Sequence, residues 1–369
     1  MREILSVVYL RAICAVFIVL FHAAGRDDIT GSGNSKIEQV FSLGASRVDI
    51  FFVISGFVLF IATVSRGGEA PGAFLLRRIM RIAPLYWLFT LALAFAALGF
   101  PKLFPNLSPT AQDIALSLFF VPHFSASKPE KIWPILVQGW ALTYEVIFYL
   151  VFAVALFARR TKWLPIIASL FIGLVLAGLI FQPTSAVGLT VTDPVLLEFL
   201  GGAAFGQLWL KGWRLSRTAS WSLLILALAG LALGTWASQI WLPWRAAFLG
   251  IPALMIVMAC VMLDADRPWR KRPWLQEIGQ ASYSIYLIHG IVISVVAKAF
   301  TITGLADGSV TSGVIFVGVC GLAATLAGIA SWRMIEKPFA EWIKAALAPP
   351  QPGLHRGTAS ERAHTPSQR

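Results

Sequence analysis

The chain has 369 residues, of which 57% are hydrophobic and only 13% are charged, and its formal net charge is +12. Soluble globular domains carry about 25% charged residues, so the composition excludes an ordinary soluble domain and predicts a polytopic membrane protein. The positive charge is typical of basic cytoplasmic loops, so we expect no nucleic-acid partner. Cys14, Cys260 and Cys320 each lie in an apolar run without metal-ligand spacing, so no metal site is predicted.

Apolar segments long enough to cross a bilayer recur along the chain, which predicts an all-α polytopic membrane bundle of about ten transmembrane helices. The stretch 114–124 is apolar but too short to span, and it indicates a re-entrant or interfacial piece. We expect one integral membrane domain over 1–345 and a disordered cytoplasmic tail over 346–369, where Pro, Gly, Ser, Thr and charged residues dominate. The predicted spans are 5–24, 46–65, 82–100, 137–157, 163–181, 194–210, 221–237, 245–263, 279–300 and 312–335.

Loop charges predict the orientation of these spans. Basic residues cluster in every second loop, so that about 21 of the 30 fall on one predicted side and about 8 on the other. This positive-inside pattern predicts that both termini are cytoplasmic. It also predicts that His22 lies at the outer end of the first span.

Two ionisable residues share the first span. Arg11 and His22 are eleven residues apart, so they lie on nearly the same helix face, about 16 Å from each other. Charged groups inside a bilayer face a partner or a watery cavity, so the pair predicts a polar path across the membrane. His22 is either a hydrated histidine at the headgroup level or a general base that deprotonates an acceptor hydroxyl. Arg11 either belongs to a structural ion pair or binds an anion.

Ionisable residues in other spans are weaker candidates. Glu145 falls in the outer half of the fourth span, where it is either a structural carboxylate or a group that orients the imidazole of His22. Asp49 and Glu198 fall at outer positions of the second and sixth spans, and we interpret both as interfacial residues. His289 lies mid-span and is either a packed core histidine or a functional one.

A cluster of arginines precedes the third span on the predicted inner side. Arg77 and Arg78 each have the spacing to share a helix face with Arg81. Three guanidinium groups there either anchor the loop at the membrane surface or bind phosphates bidentately.

Six motifs follow one another along the chain: Arg11 with His22, the segment Val48 to Phe57, Arg77 to Trp87, Gly139 to Glu145 with Phe148-Tyr149, Ser282 to His289, and Ile335-Glu336-Lys337-Pro338. Together they resemble the acyltransferase-3 family of integral membrane acyltransferases, over about residues 5–340. The sequence departs from many members at Trp140-Ala141-Leu142, where they have Trp-Ser-Leu; this variant is similar to the branch that modifies exopolysaccharides.

The resemblance implies a multi-pass acyltransferase of the bacterial inner membrane. Such an enzyme moves an acyl group, usually acetyl, from cytoplasmic acetyl-CoA to a hydroxyl of a polysaccharide or lipid-linked oligosaccharide acceptor. The resemblance implies catalytic roles for Arg11, His22 and Glu145. It also implies that the enzyme uses no metal and that its helices contact membrane lipid. The basic residues 77, 78 and 81 would then bind the phosphates of the coenzyme A donor.

Two other functions fit the same residues. A transporter or flippase of an anionic or glycan substrate would use Arg11 as its binding charge. A structural subunit of a polysaccharide synthesis complex would leave the intramembrane charges expendable. Thioester consumption separates the enzyme from both, because neither alternative transfers an acyl group. No oligomeric state is predicted.

Overall fold

A computed structural model describes residues 4–31, 46–240 and 245–346 of the chain. Within these residues the regular structure is helical, and the β-type pairing is a single bridge between Ser125 and Lys128. The predicted all-α class is therefore confirmed. The tail predicted for 346–369 falls, apart from its first residue, outside the described residues, and the orientation of the bundle stays a prediction.

Ten long helices occupy the ten predicted segments. Among the described residues, nine stretches are long and apolar enough to span a membrane, among them Ala186–Leu210 and Ala246–Asp266, each of which joins a helix to the helical turns before it. The helix at Gly139–Ala155 is equally apolar but has only 17 residues. The helices are α1 Leu5–Ala24, α2 Arg47–Ser65, α3 Pro71–Gly99, α4 Gly139–Ala155, α5 Trp163–Phe181, α6 Leu196–Leu210, α7 Arg217–Ile240, α8 Ile251–Asp266, α9 Ser282–Ile302 and α10 Val310–Ser331.

Short helical pieces extend or connect these helices. One turn of π-helix precedes α8 and another follows α10, which then continues as a helix over Lys337–Ala346. The predicted short apolar stretch at 114–124 overlaps an eight-residue helix, Ala111–Leu118, which is too short to span. The other short pieces are Asp27–Thr30, Pro101–Leu103, Arg160–Lys162, Ala186–Val191 and Pro273–Gln280.

The start of α3 differs from the sequence prediction. The helix begins at Pro71 rather than at residue 82, so the arginines 77, 78 and 81 lie inside it and not in the loop before it. Hydropathy marks only apolar residues, whereas arginine is also a good helix former. Proline at the first helical position further favours this start, because its fixed φ suits a helix and its missing N–H is not needed there.

Helices α2 and α6 touch through their backbones. A Cβ atom at Gly56 would lie 2.1 Å from the carbonyl oxygen of Phe199, and one at Gly202 would lie 2.1 Å from that of Val53. Membrane helices gain stability from such small residues, because close backbones increase van der Waals contact. This contact fixes the position of α2, which forms one wall of the central cavity described below.

Substituting Gly56 or Gly202 with alanine should force α2 and α6 apart. We expect each variant to lose about 1–3 kcal/mol of stability, the usual effect of overpacking. The loss is measured as a lower melting temperature of the detergent-purified protein, with the folded fraction after heating monitored by size-exclusion chromatography. Gly173→Ala in α5 is the control, because a Cβ there meets nothing within 4 Å. Equal melting temperatures for Gly56→Ala and Gly173→Ala would contradict the close approach.

Candidate active site

A cavity of about 150 Å³ lies between α1, α2, α3, α4 and α9. Positive charge comes from three arginines, and the counter-charge comes from one glutamate of α4. The structure thus brings four of the six residues singled out in the sequence into one cavity. The charged and tyrosine lining consists of Arg11, Arg78, Arg81, Glu145, Tyr149, Tyr283 and Tyr286.

A second cavity, of about 310 Å³, opens at the end of the bundle where α1 begins and α10 ends, here called the Arg11 end. Glu336 and Lys337, which follow α10, contribute charges of both signs to it. Arg11 and Arg81 line this cavity as well as the central one. The two arginines therefore stand where a ligand would pass from the Arg11 end into the bundle.

Arg77 lies apart from this group. It forms an ion pair with Glu69, just before α3, and it does not line the central cavity. Arg78 is buried and Arg81 is exposed, and both face the cavity. The structure thus separates the predicted arginine cluster into two residues that reach the cavity and one that is paired outside it.

Glu145 is held by its own helix. The hydroxyl group of Tyr149, one helical turn further along α4, donates a hydrogen bond to the Glu145 carboxylate. From the sequence, Glu145 was either a structural carboxylate or a group that orients the imidazole of His22, and the hydrogen bond that the structure gives it goes to Tyr149. Glu145 accordingly belongs with the arginines of the central cavity, where its negative charge offsets theirs.

His22 lies in a cluster with Arg47 and His289 at the opposite end of the bundle, here called the His22 end. The two imidazole rings stack with their centroids 5.2 Å apart. Nη2 of Arg47 lies 3.0 Å from Nε2 of His22. Arginine can only donate, so Nε2 of His22 is the acceptor. His22 is exposed, whereas Arg47 and His289 are only 6% and 2% exposed, so His22 is the imidazole that a substrate can reach.

The tautomer of His289 follows from its neighbour. Its Nδ1 lies 2.6 Å from the backbone carbonyl oxygen of Tyr286. A carbonyl oxygen only accepts, so Nδ1 of His289 carries a proton and donates it. A backbone acceptor of this kind fixes the orientation of a histidine ring. His289 therefore provides a fixed surface against which the ring of His22 stacks.

Tyr286 joins the His22 cluster to the central cavity. Its side chain lines the cavity, and its ring centroid lies 5.9 Å from that of His289. The hydroxyl group of Tyr286 donates to the backbone carbonyl of Gln138, 2.7 Å away, at the start of α4. Polar side chains thus follow one another from Arg11 at one end of the bundle to His22 at the other.

Asp49 and Glu198 are buried, contrary to their interpretation as interfacial residues. Asp49 is fully buried and accepts a 3.0 Å hydrogen bond from Arg245, while Glu198 is 5% exposed. The sequence could not show this, because the burial arises from the packing of α2 against α6. The three cysteines are free and buried, as expected of apolar core residues.

The sequence motifs did not point to Arg47 or to a role for Tyr286 and His289. Arg47 carried a usable signal, since a basic residue at the predicted outer end of a span opposes the positive-inside pattern. Tyr286 and His289 lie three residues apart and so share a helix face. Their meeting with His22 depends on the packing of α9 against α1, for which hydropathy gives no signal.

Comparison with known proteins identifies the family. The model of the acyltransferase domain matches residues 4–332. Exopolysaccharide production protein ExoZ of Rhizobium meliloti (strain 1021) is 41% identical over 320 residues, which are 87% of this chain and 94% of that protein. No solved structure matches. The family model covers nearly all of the helical bundle, and the chain therefore belongs to the acyltransferase-3 family of multi-pass membrane acyltransferases.

Proposed function

We propose that the protein is an O-acyltransferase of the bacterial inner membrane that moves an acetyl group from cytoplasmic acetyl-CoA to a hydroxyl of an extracytoplasmic or lipid-linked polysaccharide. The observation that carries this proposal is the polar path from Arg11 to His22. Family membership supports acyl transfer, and the relative named for exopolysaccharide production supports a polysaccharide acceptor. A flippase or a structural subunit needs no general base at one end of such a path.

The donor enters this scheme at the Arg11 end. Guanidinium groups bind phosphate bidentately, and Arg11 and Arg81 stand between the two cavities. Lys337 adds a third positive charge to the cavity at the Arg11 end. The phosphates of coenzyme A would bind here, with the pantetheine arm and its thioester extending into the central cavity beside Glu145 and Tyr149.

The acceptor enters at the His22 end. Its hydroxyl group takes the place of Arg47 at Nε2 of His22, and the imidazole removes the hydroxyl proton. The oxygen then attacks the thioester carbonyl, so that a C–O bond forms and the C–S bond breaks. The proton passes from His22 to the coenzyme A sulfur, which leaves as a thiol. Arg47, released from the ring, stabilises the negative oxygen of the tetrahedral intermediate.

Alanine at His22 should abolish acyl transfer. A general base contributes about 10²–10⁴-fold to a rate, so we expect a loss of this size. His289→Phe keeps a ring against His22 without supplying a base, and it should reduce the rate less than about tenfold. The measurement is transfer of radiolabelled acetyl groups from acetyl-CoA to extracted surface polysaccharide by membranes that contain each variant at equal amounts.

The pair of variants separates the two imidazoles. Full activity of His22→Ala would exclude His22 as the base, and loss of activity only in His289→Phe would transfer that role to His289. Transport of the glycan without consumption of the thioester would replace acyl transfer by the flippase function.

Arg81, which lines both cavities, should control donor binding, whereas Arg77 should not. A hydrogen bond to a charged group contributes about 1.5–3 kcal/mol, so Arg81→Ala should raise the KM for acetyl-CoA at least about tenfold. Arg77→Ala removes only a pair with Glu69 outside the cavity, and a partly exposed ion pair contributes about 0–1 kcal/mol. We expect its KM for acetyl-CoA to change by less than about fivefold. Equal effects of the two substitutions would contradict this placement of the donor.

A further inference from the structure

An open pocket of about 90 Å³ lies at the His22 end of the bundle, separate from the polar path. One side comes from the first turns of α4, and the other comes from the segment 116–134 that precedes α4. Rings alternate with hydroxyl and imidazole groups, so the pocket is neither purely apolar nor charged. The residues that matter are Phe120, His123, Trp133, Trp140, Thr143 and Tyr144.

His123 lines this pocket and has an unused hydrogen-bond acceptor. Its side chain is only 9% exposed, and its Nδ1 donates to the backbone oxygen of Val121, 2.8 Å away. Its Nε2 is buried without a hydrogen-bond partner, since the nearest carboxylate oxygen, Oδ1 of Asp113, is 3.9 Å away. A buried polar atom left unpaired costs about 1–3 kcal/mol. A ligand hydroxyl that donates to Nε2 would remove this cost.

Aromatic rings form the apolar part of the wall. The centroids of Trp140 and Tyr144 lie 5.9 Å apart, edge to face. Trp133 is held at the rim by the ammonium groups of Lys128 and Lys131, 5.5 and 5.9 Å from its ring centroid. The indole rings combine an apolar surface with a polar N–H, which suits a ligand that carries both C–H faces and hydroxyl groups, while the hydroxyl group of Tyr144 already donates to a carboxylate 2.8 Å away.

The segment 116–134, which forms one side of the pocket, has a defined conformation. The backbone N–H of Val121 donates to the carbonyl of Leu116 at 2.9 Å, and that of Ile135 donates to Oγ of Ser117 at 3.1 Å. Phe120 has a backbone φ of 56°, in the left-handed region that residues other than glycine rarely adopt. Such backbone strain persists where the surrounding structure enforces it, often at functional sites.

The pocket lies one helix away from the central cavity. Trp140, Thr143 and Tyr144 face the pocket, while Glu145 on the same helix faces the cavity. Phe52 of α2 lines the cavity and lies 6.3 and 6.0 Å from the rings of Trp140 and Tyr144. A ligand in the pocket would therefore sit beside the acceptor end of the proposed reaction.

We propose that this pocket is a carbohydrate subsite that binds one sugar ring of the acceptor, next to the sugar that receives the acyl group. That the bound sugar belongs to the acceptor rests on the proposed function. That the pocket binds a sugar ring does not rest on it. The pocket is open to the outside, so the rest of the glycan chain stays outside it. A lipid tail would fill the aromatic surface but leave Nε2 of His123 unpaired.

The test is binding of glycans to the full-length protein in nanodiscs. The probe is a set of tritium-labelled oligosaccharides of four to eight sugars, prepared from exopolysaccharide and freed of acyl groups by mild alkali. Equilibrium dialysis compares the intact protein with Trp133→Ala, Trp133→Phe and His123→Ala. Trp221→Ala is the matched control, because Trp221 is 48% exposed on α7 and does not line the pocket.

We expect Trp133→Ala and His123→Ala to weaken binding at least about tenfold, the effect of losing about 1.4 kcal/mol. Trp133→Phe should restore most of the affinity, and Trp221→Ala should bind like the intact protein. In acetyl transfer assays, Trp133→Ala should raise the KM for the acceptor and leave the KM for acetyl-CoA unchanged.

The outcomes separate this inference from the proposed function. Binding that depends on Trp133, in a protein that acylates no glycan, would support the subsite and overturn the proposed acylation of glycans. Glycan acylation with binding that Trp133→Ala and His123→Ala leave unchanged would overturn the subsite alone. Absence of binding by the intact protein at millimolar glycan would also overturn the subsite. So would a phospholipid that co-purifies with the intact protein and with the other variants but not with Trp133→Ala.

Discussion

Charged side chains buried among apolar helices are the constraint on which the rest of this structure depends. A bilayer offers them no water, so each needs a partner or a hydrated cavity. Asp49 forms an ion pair with Arg245 at 3.0 Å, and Glu145 lines the central cavity together with Arg11. These requirements decide which helices pack together, because the partners come from distant parts of the chain. The cavity and the polar path follow from that packing.

The same constraint explains why different types of side chain lie at the two ends of the path. Guanidinium groups gather at the Arg11 end, where they suit a phosphorylated ligand, and imidazoles gather at the His22 end, where they suit proton transfer. Arg47 is the exception, a guanidinium group placed against the exposed histidine. Its fork of donors can serve the ring in the resting state and a developing oxyanion during transfer. Donor and acceptor would thus approach the central cavity from opposite ends.

Hydropathy and loop charge were sufficient to predict the ten helices, because crossing a bilayer requires about 20 apolar residues whatever the fold. The start of α3 was missed, since three arginines interrupt the apolar residues of its first turns. Motif spacing identified Arg11 and Glu145, which the structure places in one cavity. The hydrogen bond from Tyr149 to Glu145 could be predicted, because residues four positions apart on a helix are neighbours. The stacking of His289 on His22 could not be predicted, because it depends on which helices are neighbours.

The most direct test of the path is the sidedness of acyl transfer. Proteoliposomes that contain the purified protein in one orientation would receive radiolabelled acetyl-CoA on the Arg11 side and a membrane-impermeant oligosaccharide acceptor on the His22 side. We expect labelled acceptor only with this arrangement, and none when both substrates are on the His22 side. Transfer that requires both substrates on the same side would contradict a path that connects the two faces of the membrane.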